Sequence, residues 1–172
     1  SAPVILLVLF LRPVILVRFG MLLSGRLGHF SVNTELYLCE QAAGSSVRRT
    51  FDVFFHFSPV CNGQLKKMWN RRLHVSPLAR WPHWLVSRLP GFGAHVIQLP
   101  TDRDLRGLLD SIPAQLSFTG EEETRGRLAL GQLGIPENAP IVCIHSRDSG
   151  YLDGALPNGN WGYHDYRNSN VQ

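Results

Sequence analysis

Cysteine is scarce in this chain. Cys39, Cys61 and Cys143 stand far apart, and no C-x-x-C pair occurs. That spacing argues against a zinc ribbon or a redox dithiol, and a scattered odd count fits a reducing compartment, where each thiol acts as a small buried hydrophobe. No long run of Lys or Arg is present either, so nucleic acid is not an indicated partner. Neither a G-x-G-x-x-G fingerprint nor a Walker A loop occurs, and H-x-H and H-E-x-x-H spacings are absent. Internal repeats and low-complexity tracts are missing as well. The longest apolar opening, Ala2 to Leu11, is cut by Arg12-Pro13 and falls short of the roughly 20 residues that cross a bilayer. Residues 1–12 therefore read either as the tail of a membrane anchor lying upstream or as a buried core segment. A cleaved signal peptide fits less well, because a basic n-region and a small-residue cleavage site are lacking.

What remains is a globular composition. The 172 residues are 44% hydrophobic and 17% charged, with a formal charge of +4. This suits one domain with a real core, or one domain and part of another. Small basic clusters at Arg48-Arg49, Lys66-Lys67 and Arg71-Arg72 are compatible with a phosphate-bearing ligand or an anionic membrane surface.

From residue 13 onward strands and helices alternate, which predicts an α/β fold: a Rossmann-like open, mostly parallel sheet with helices on both faces. Strands are expected at Val14 to Gly20, Thr50 to Phe57, in "AHVIQLP" and in "APIVCIH". Helices are expected over Asn33 to Gly44, after Asn62, between the prolines 77, 82 and 90, over "DRDLRGLLDSIP", and from Thr119 to Gly134. Thr119 reads as an N-cap, with acidic residues 121 to 123 in the first turn and Gly134-Ile135-Pro136 as the stop.

In an open α/β sheet, ligands collect outside the carboxyl ends of the strands. Two segments fall there. After the first strand, Gly25-Arg26-Leu27-Gly28-His29 places small residues and two possible cations before a helix, where backbone N–H groups and the helix dipole favour an anion. The same glycines also suit a tight turn with φ > 0, leaving Arg26 in solvent. After "APIVCIH" comes a polar, aromatic stretch. Its His145 and Arg147 share a face if the strand continues. Arg147 is suited to fork onto a diphosphate, and Asp148 either fixes that fork or serves as a base. Tyr151, Trp161, Tyr163 and Tyr166 offer flat faces for a sugar or base, and His164-Asp165 forms an orienting pair. Against this stands a plain alternative, in which Arg147 and Asp148 close a turn and the aromatics plug the end of the sheet. A divalent metal among His145, Asp148, Asp153, His164 and Asp165 is disfavoured by their spacing.

The chain resembles a family of bacterial glycosyltransferases of surface-carbohydrate synthesis. The resemblance rests on five ordered segments: Arg18-Phe19-Gly20 with Ser24 to His29, Asn33 to Glu40, Asn62 to Trp69, Arg147 to Leu152, and Tyr163 to Ser169. Leu27 stands where Ile is expected, and Ser146 where an apolar residue is common. The resemblance implies the N-terminal domain, residues 13–172, of a GT-B-type enzyme whose second domain follows Gln172. It implies sugar transfer from a nucleotide-diphosphate donor to a hydroxyl of a surface glycan, with no cofactor beyond that co-substrate. The His-x-Arg-Asp element is similar to that of O-fucosyltransferase-type enzymes, which gives Arg147 the donor diphosphate. Arg26, Gly28 and His145 would assist it, and Asp148 or His29 would be the base. Tyr151, Trp161, Tyr163, His164 and Asp165 would place the acceptor. The expected setting is the cytoplasm, with peripheral contact at the inner membrane face. Two other functions remain open: a non-catalytic carbohydrate- or nucleotide-binding module, and a metal-dependent phosphoesterase.

Overall fold

The computed structural model describes residues 6, 8, 10–44, 49–100, 103–142, 150–155, 157–162 and 165. They fall into two compact units, Ser1–Phe118 and Thr119–Gln172, and each is treated by itself.

The first unit is built on a four-stranded parallel sheet of order β3-β2-β1-β4. Strand β1 (Leu16–Leu22) and β2 (Thr50–His56) pair along their whole length. The edge strands β3 (His74–Val75) and β4 (Val96–Ile97) have two residues each. Helix α1 (Thr34–Ala42) follows β1, entered through a π-turn at His29–Asn33, and α2 (Gly63–Arg72) follows β2. A 3-10 turn, Pro77–Ala79, runs into α3 (Arg80–Val86), and α4 is a single turn at Leu108–Ser111.

Alternation along β1 and β2 sends successive side chains to opposite faces. Phe19 and Phe55 pack with Val8, Ala79 and Val86, so α3 covers one face. Leu22 and Phe54 pack with Phe30, Tyr37, Trp69 and Ile97, so α1 and α2 cover the other. Leu22, Phe30, Phe54 and Trp69 are fully buried. The expected α/β, Rossmann-like class with helices on both faces is what the structure has.

A polar clamp lies within this apolar frame. Arg18 and Asp52 are register partners on β1 and β2. The guanidinium donates through Nε and Nη2 to the two carboxylate oxygens, each at 2.7 Å. The Tyr37 hydroxyl of α1 donates to the same carboxylate. Burial, and next the Asp52 carboxylate, hold the Tyr37 phenol protonated well above its usual range.

Several local expectations shift. Strand β1 starts two residues later than Val14 and runs on to Leu22. Val14 is 73% exposed and its N–H turns back to the Leu11 carbonyl, whereas Leu22 has no exposure. Asn33 is not an N-cap: it sits inside the π-turn with helical dihedrals and makes no capping bond. Asn62 does cap α2, accepting from the Leu65 N–H at 2.8 Å. Pro82 lies within the first turn of α3, where its missing N–H has no intrahelical partner to lose. Residues 74–75, read as the tail of a helix, are strand β3. The helix expected over 102–113 shrinks to α4 because Gly107 adopts φ +63°.

In the second unit, α5 (Gly120–Gln132) begins as expected. Thr119 and Glu122 form a reciprocal capping box, and Gly134 ends the helix at φ +76°. Helix α6 covers Gly150–Ala155. The strand expected in "APIVCIH" is not formed by its described part. Residues 139–142 carry no strand, and Ile141 and Val142 are exposed; residues 143–145 lie outside the described residues. Among the described residues, no helix is long and apolar enough to cross a membrane.

The tightest backbone approach in the sheet is at Gly20. A Cβ there would lie 2.7 Å from the Phe54 ring and 3.0 Å from Ile97 Cβ. Both neighbours are core residues, so Gly20→Ala is expected to lower stability by about 1–3 kcal/mol, read as a fall in urea midpoint with unchanged m-value.

Candidate functional site

Strands β1, β2 and β3 step in one direction across the sheet, and β4 then returns to the far side of β1. The order reverses between β1 and β4, and the crevice outside their carboxyl ends is the expected ligand position in such a sheet. The segment leaving β1 there is Leu23 to His29, so Arg26, Gly28 and His29 lie at this switch point.

This segment is held by hydrogen bonds to the exit of β2. Ser24, fully buried, donates from Oγ to the Phe57 carbonyl at 2.5 Å. The Cys61 N–H donates to the Ser24 carbonyl at 2.8 Å, and the Phe57 N–H to the Leu22 carbonyl at 3.0 Å. From α2, Trp69 Nε1–H donates to the Phe30 carbonyl at 3.0 Å. The loops after β1 and β2 thus share backbone bonds and a buried indole.

The two glycines serve different ends. A Cβ on Gly25 would press the Phe57 ring at 3.2 Å, whereas a Cβ on Gly28 would meet nothing within 4 Å. Neither is among the positive-φ glycines, and Gly28 is right-handed helical at φ −60°. The tight φ > 0 turn considered from the sequence is therefore not formed. Gly28 leads straight into the π-turn, and its lack of a side chain leaves the backbone accessible. Arg26 and His29 are half-buried and each makes interactions within the protein.

Of the other expected site residues, His145, Arg147, Asp148, Tyr163 and His164 lie outside the described residues. Tyr151 is on α6, with only its backbone course described. Trp161 is half-buried and Asp165 exposed, both in the second unit. Arg26, Gly28 and His29 are thus the ones brought together within one described segment.

A second concavity, of about 960 Å³, opens beside the exits of β2 and β3. Its walls include His56, Lys66 and Asn70, then Arg80, Trp81 and Trp84 of α3. An adjoining hollow of about 300 Å³ is lined by Ser58, His83, Trp84 and Arg88. The Arg88 guanidinium lies 4.4 Å from the Trp84 ring centroid and donates to the Trp84 carbonyl. Of these residues, Lys66 alone was singled out from the sequence, in a basic cluster compatible with a phosphate-bearing ligand. A signal was nonetheless there: between Asp52 and Asp102 there is no Asp or Glu, while Lys66, Lys67, Arg71, Arg72, Arg80 and Arg88 all fall in that interval.

Two imidazoles face these hollows. His56 Nε2 is 2.8 Å from Asn70 Oδ1, and its ring stands edge-on to Phe30. Burial is the main cause that pulls its pKa below the ordinary value; the Asn70 bond opposes this and the Lys66 charge adds to it. His83 stands edge-on to Phe55, and burial lowers its pKa too. Burial also keeps the Cys39 and Cys61 thiols protonated, in keeping with their reading as small hydrophobes.

Compared with protein-family models, curated proteins and solved structures, the chain finds no match.

Two outcomes follow from this geometry. Gly28→Ala is expected to leave stability unchanged or to raise it by up to about 1 kcal/mol, since the position is helical and open; thermal unfolding of the variant checks this. Because the folded state holds His56 and His83 neutral, the unfolded chain binds more protons near their ordinary pKa of about 6.5. Their contribution to stability is complete above that value and is lost as pH falls through the lower folded values. The denaturation midpoint should therefore drop as pH falls through and below about 6.5, and His83→Gln should flatten part of the drop.

Proposed function

We propose that this chain is the N-terminal half of a glycosyltransferase, which moves a sugar from a nucleotide-diphosphate donor to a hydroxyl of a surface glycan. The observation that carries the reading is the Arg26-Leu27-Gly28-His29 segment at the point where strand order reverses. An open backbone at Gly28, with the Arg26 guanidinium and the His29 imidazole on either side, suits the approach of an anion there. The five ordered sequence segments shared with the glycosyltransferase family support the same chemistry.

In this reaction the donor's diphosphate leaves with growing negative charge. The resemblance gives Arg147, with His145, the role of forking onto its oxygens, and gives Arg26 and the Gly28 backbone an anion-binding role. Asp148 or His29 takes the proton from the acceptor hydroxyl. Tyr151, Trp161, Tyr163, His164 and Asp165 hold the acceptor. The enzyme needs no cofactor beyond the donor and works in the cytoplasm, beside the inner membrane face. One observation favours a second reading, a non-catalytic carbohydrate- or nucleotide-binding module: among the described residues, the concavity beside β2 and β3 is lined by cations, rings and the Asn70 amide but by no carboxylate to act as a base.

A panel of nucleotide sugars screened by thermal shift on the intact polypeptide tests the proposal. The cognate donor at about 100 times its Kd should add about 2.7 kcal/mol of apparent stability, and Arg147→Ala should abolish both that shift and sugar transfer. Wild-type donor affinity and transfer in Arg147→Ala would sink the assignment.

A further inference from the structure

The concavity beside β2 and β3 is separate in its residues from the switch point, and its make-up narrows what could occupy it. Lys66 and Asn70 are one helical turn apart on α2 and reach it from one side. Arg80, Trp81 and Trp84 reach it from α3 on the other. Among the described residues no carboxylate pairs with Lys66 or Arg80, and the Lys66 charge is felt at His56 in the wall. Among the described residues the site is therefore positive and carries no neutralising carboxylate. Its volume lies within the range of small-molecule pockets, about 300–1,000 Å³.

The two indoles set the second requirement. Trp81 is 68% exposed and Trp84 51% exposed, an unusual amount of ring surface to leave against water on one short helix. They stand three positions apart, so both face the same side of α3. A flat apolar face flanked by an amide hydrogen-bonding group matches a sugar ring, which has a C–H face and hydroxyls at its rim. Two cations without a carboxylate partner among the described residues match a phosphate.

We propose that this groove binds a phosphorylated sugar, with its phosphate between Lys66 and Arg80 and its ring against Trp81 and Trp84. The ring's hydroxyls hydrogen-bond to the Asn70 amide. The binding stands on these residues alone; the transferase reading is needed only to call the ligand an acceptor, a glycan that arrives carrying phosphate.

Isothermal titration of the intact polypeptide with glucose 1-phosphate tests this, with glucose, inorganic phosphate and phosphatidylglycerol vesicles as the other arms. The expected result is saturable binding of the sugar phosphate, tighter than either glucose or phosphate alone. Lys66→Met and Arg80→Met should each weaken it about tenfold, a charge-assisted hydrogen bond each, and Trp81→Ala should weaken it similarly while far-UV circular dichroism stays unchanged. Since these side chains are exposed, the variants should fold; Lys67→Met serves as a charge control outside the groove and should bind like the wild type. The proposal is overturned by no saturable binding, by equal affinity in the Lys66 and Arg80 variants, by inorganic phosphate binding as tightly as the sugar phosphate, or by binding to vesicles alone. Calorimetry reads binding without turnover, so a negative result here leaves the Arg147 test of sugar transfer untouched, and the reverse also holds.

Discussion

The pairing of Arg18 with Asp52 sets the frame from which the rest of the first unit is built. Both residues sit mid-strand, opposite one another in register, and the two-pronged bond fits only that register. A slip by one residue would place Asp52 beside an apolar neighbour on the wrong face and strand a charge that is mostly shielded from water. The Tyr37 hydroxyl adds a third element to the same carboxylate, so the clamp aligns β1 with β2 and also seats α1 over them. The apolar layers on either side then supply most of the burial energy, while the clamp selects which arrangement receives it.

With β1 and β2 aligned, their exits are aligned too. Ser24 and the Trp69 indole bind the loops that leave them, and the switch point and the groove between α2 and α3 lie at the same end of the sheet. The first is bordered by the Gly28 backbone, the second by Lys66 and Arg80. Both owe their position to that end, where parallel strands deliver side chains from distant parts of the chain to a common rim.

How much of this could be read beforehand depended on whether the signal was local. The long paired strands were legible because β-branched and aromatic residues run through "LVRFGML" and "TFDVFFH", and α5 was legible because Thr119, three glutamates and Gly134 mark both ends. Strand β3 was not, since two residues give no alternation to detect, and its pairing with Val53 and Phe54 is decided by tertiary contact. "APIVCIH" misled for the converse reason. Its composition favours a strand, yet Ile141 and Val142 are exposed and unpaired by any neighbouring strand. Arg26, Gly28 and His29 could be placed at the switch point because they are contiguous and follow a strand. The groove was not legible as a unit because His56, Lys66, Arg80 and Trp84 come from separate elements, and only the Lys66-Lys67 cluster and the long interval without an acid hinted at it.

The brevity of the edge strands has its own result. An open sheet exposes backbone donors and acceptors along its margins, and long margins invite a strand from another chain. Here β3 and β4 offer two residues apiece, and the paired strands beyond them are closed by other means. The buried His95 imidazole bonds the Val17 carbonyl at 2.7 Å, and the Ser76 N–H takes the Phe54 carbonyl at 2.8 Å just ahead of Pro77. Neither margin is a template on which another molecule's backbone could extend the sheet. Contacts of this unit with other molecules are left to side chains, and the unit is thereby spared from zipping onto its own copies through the sheet edges.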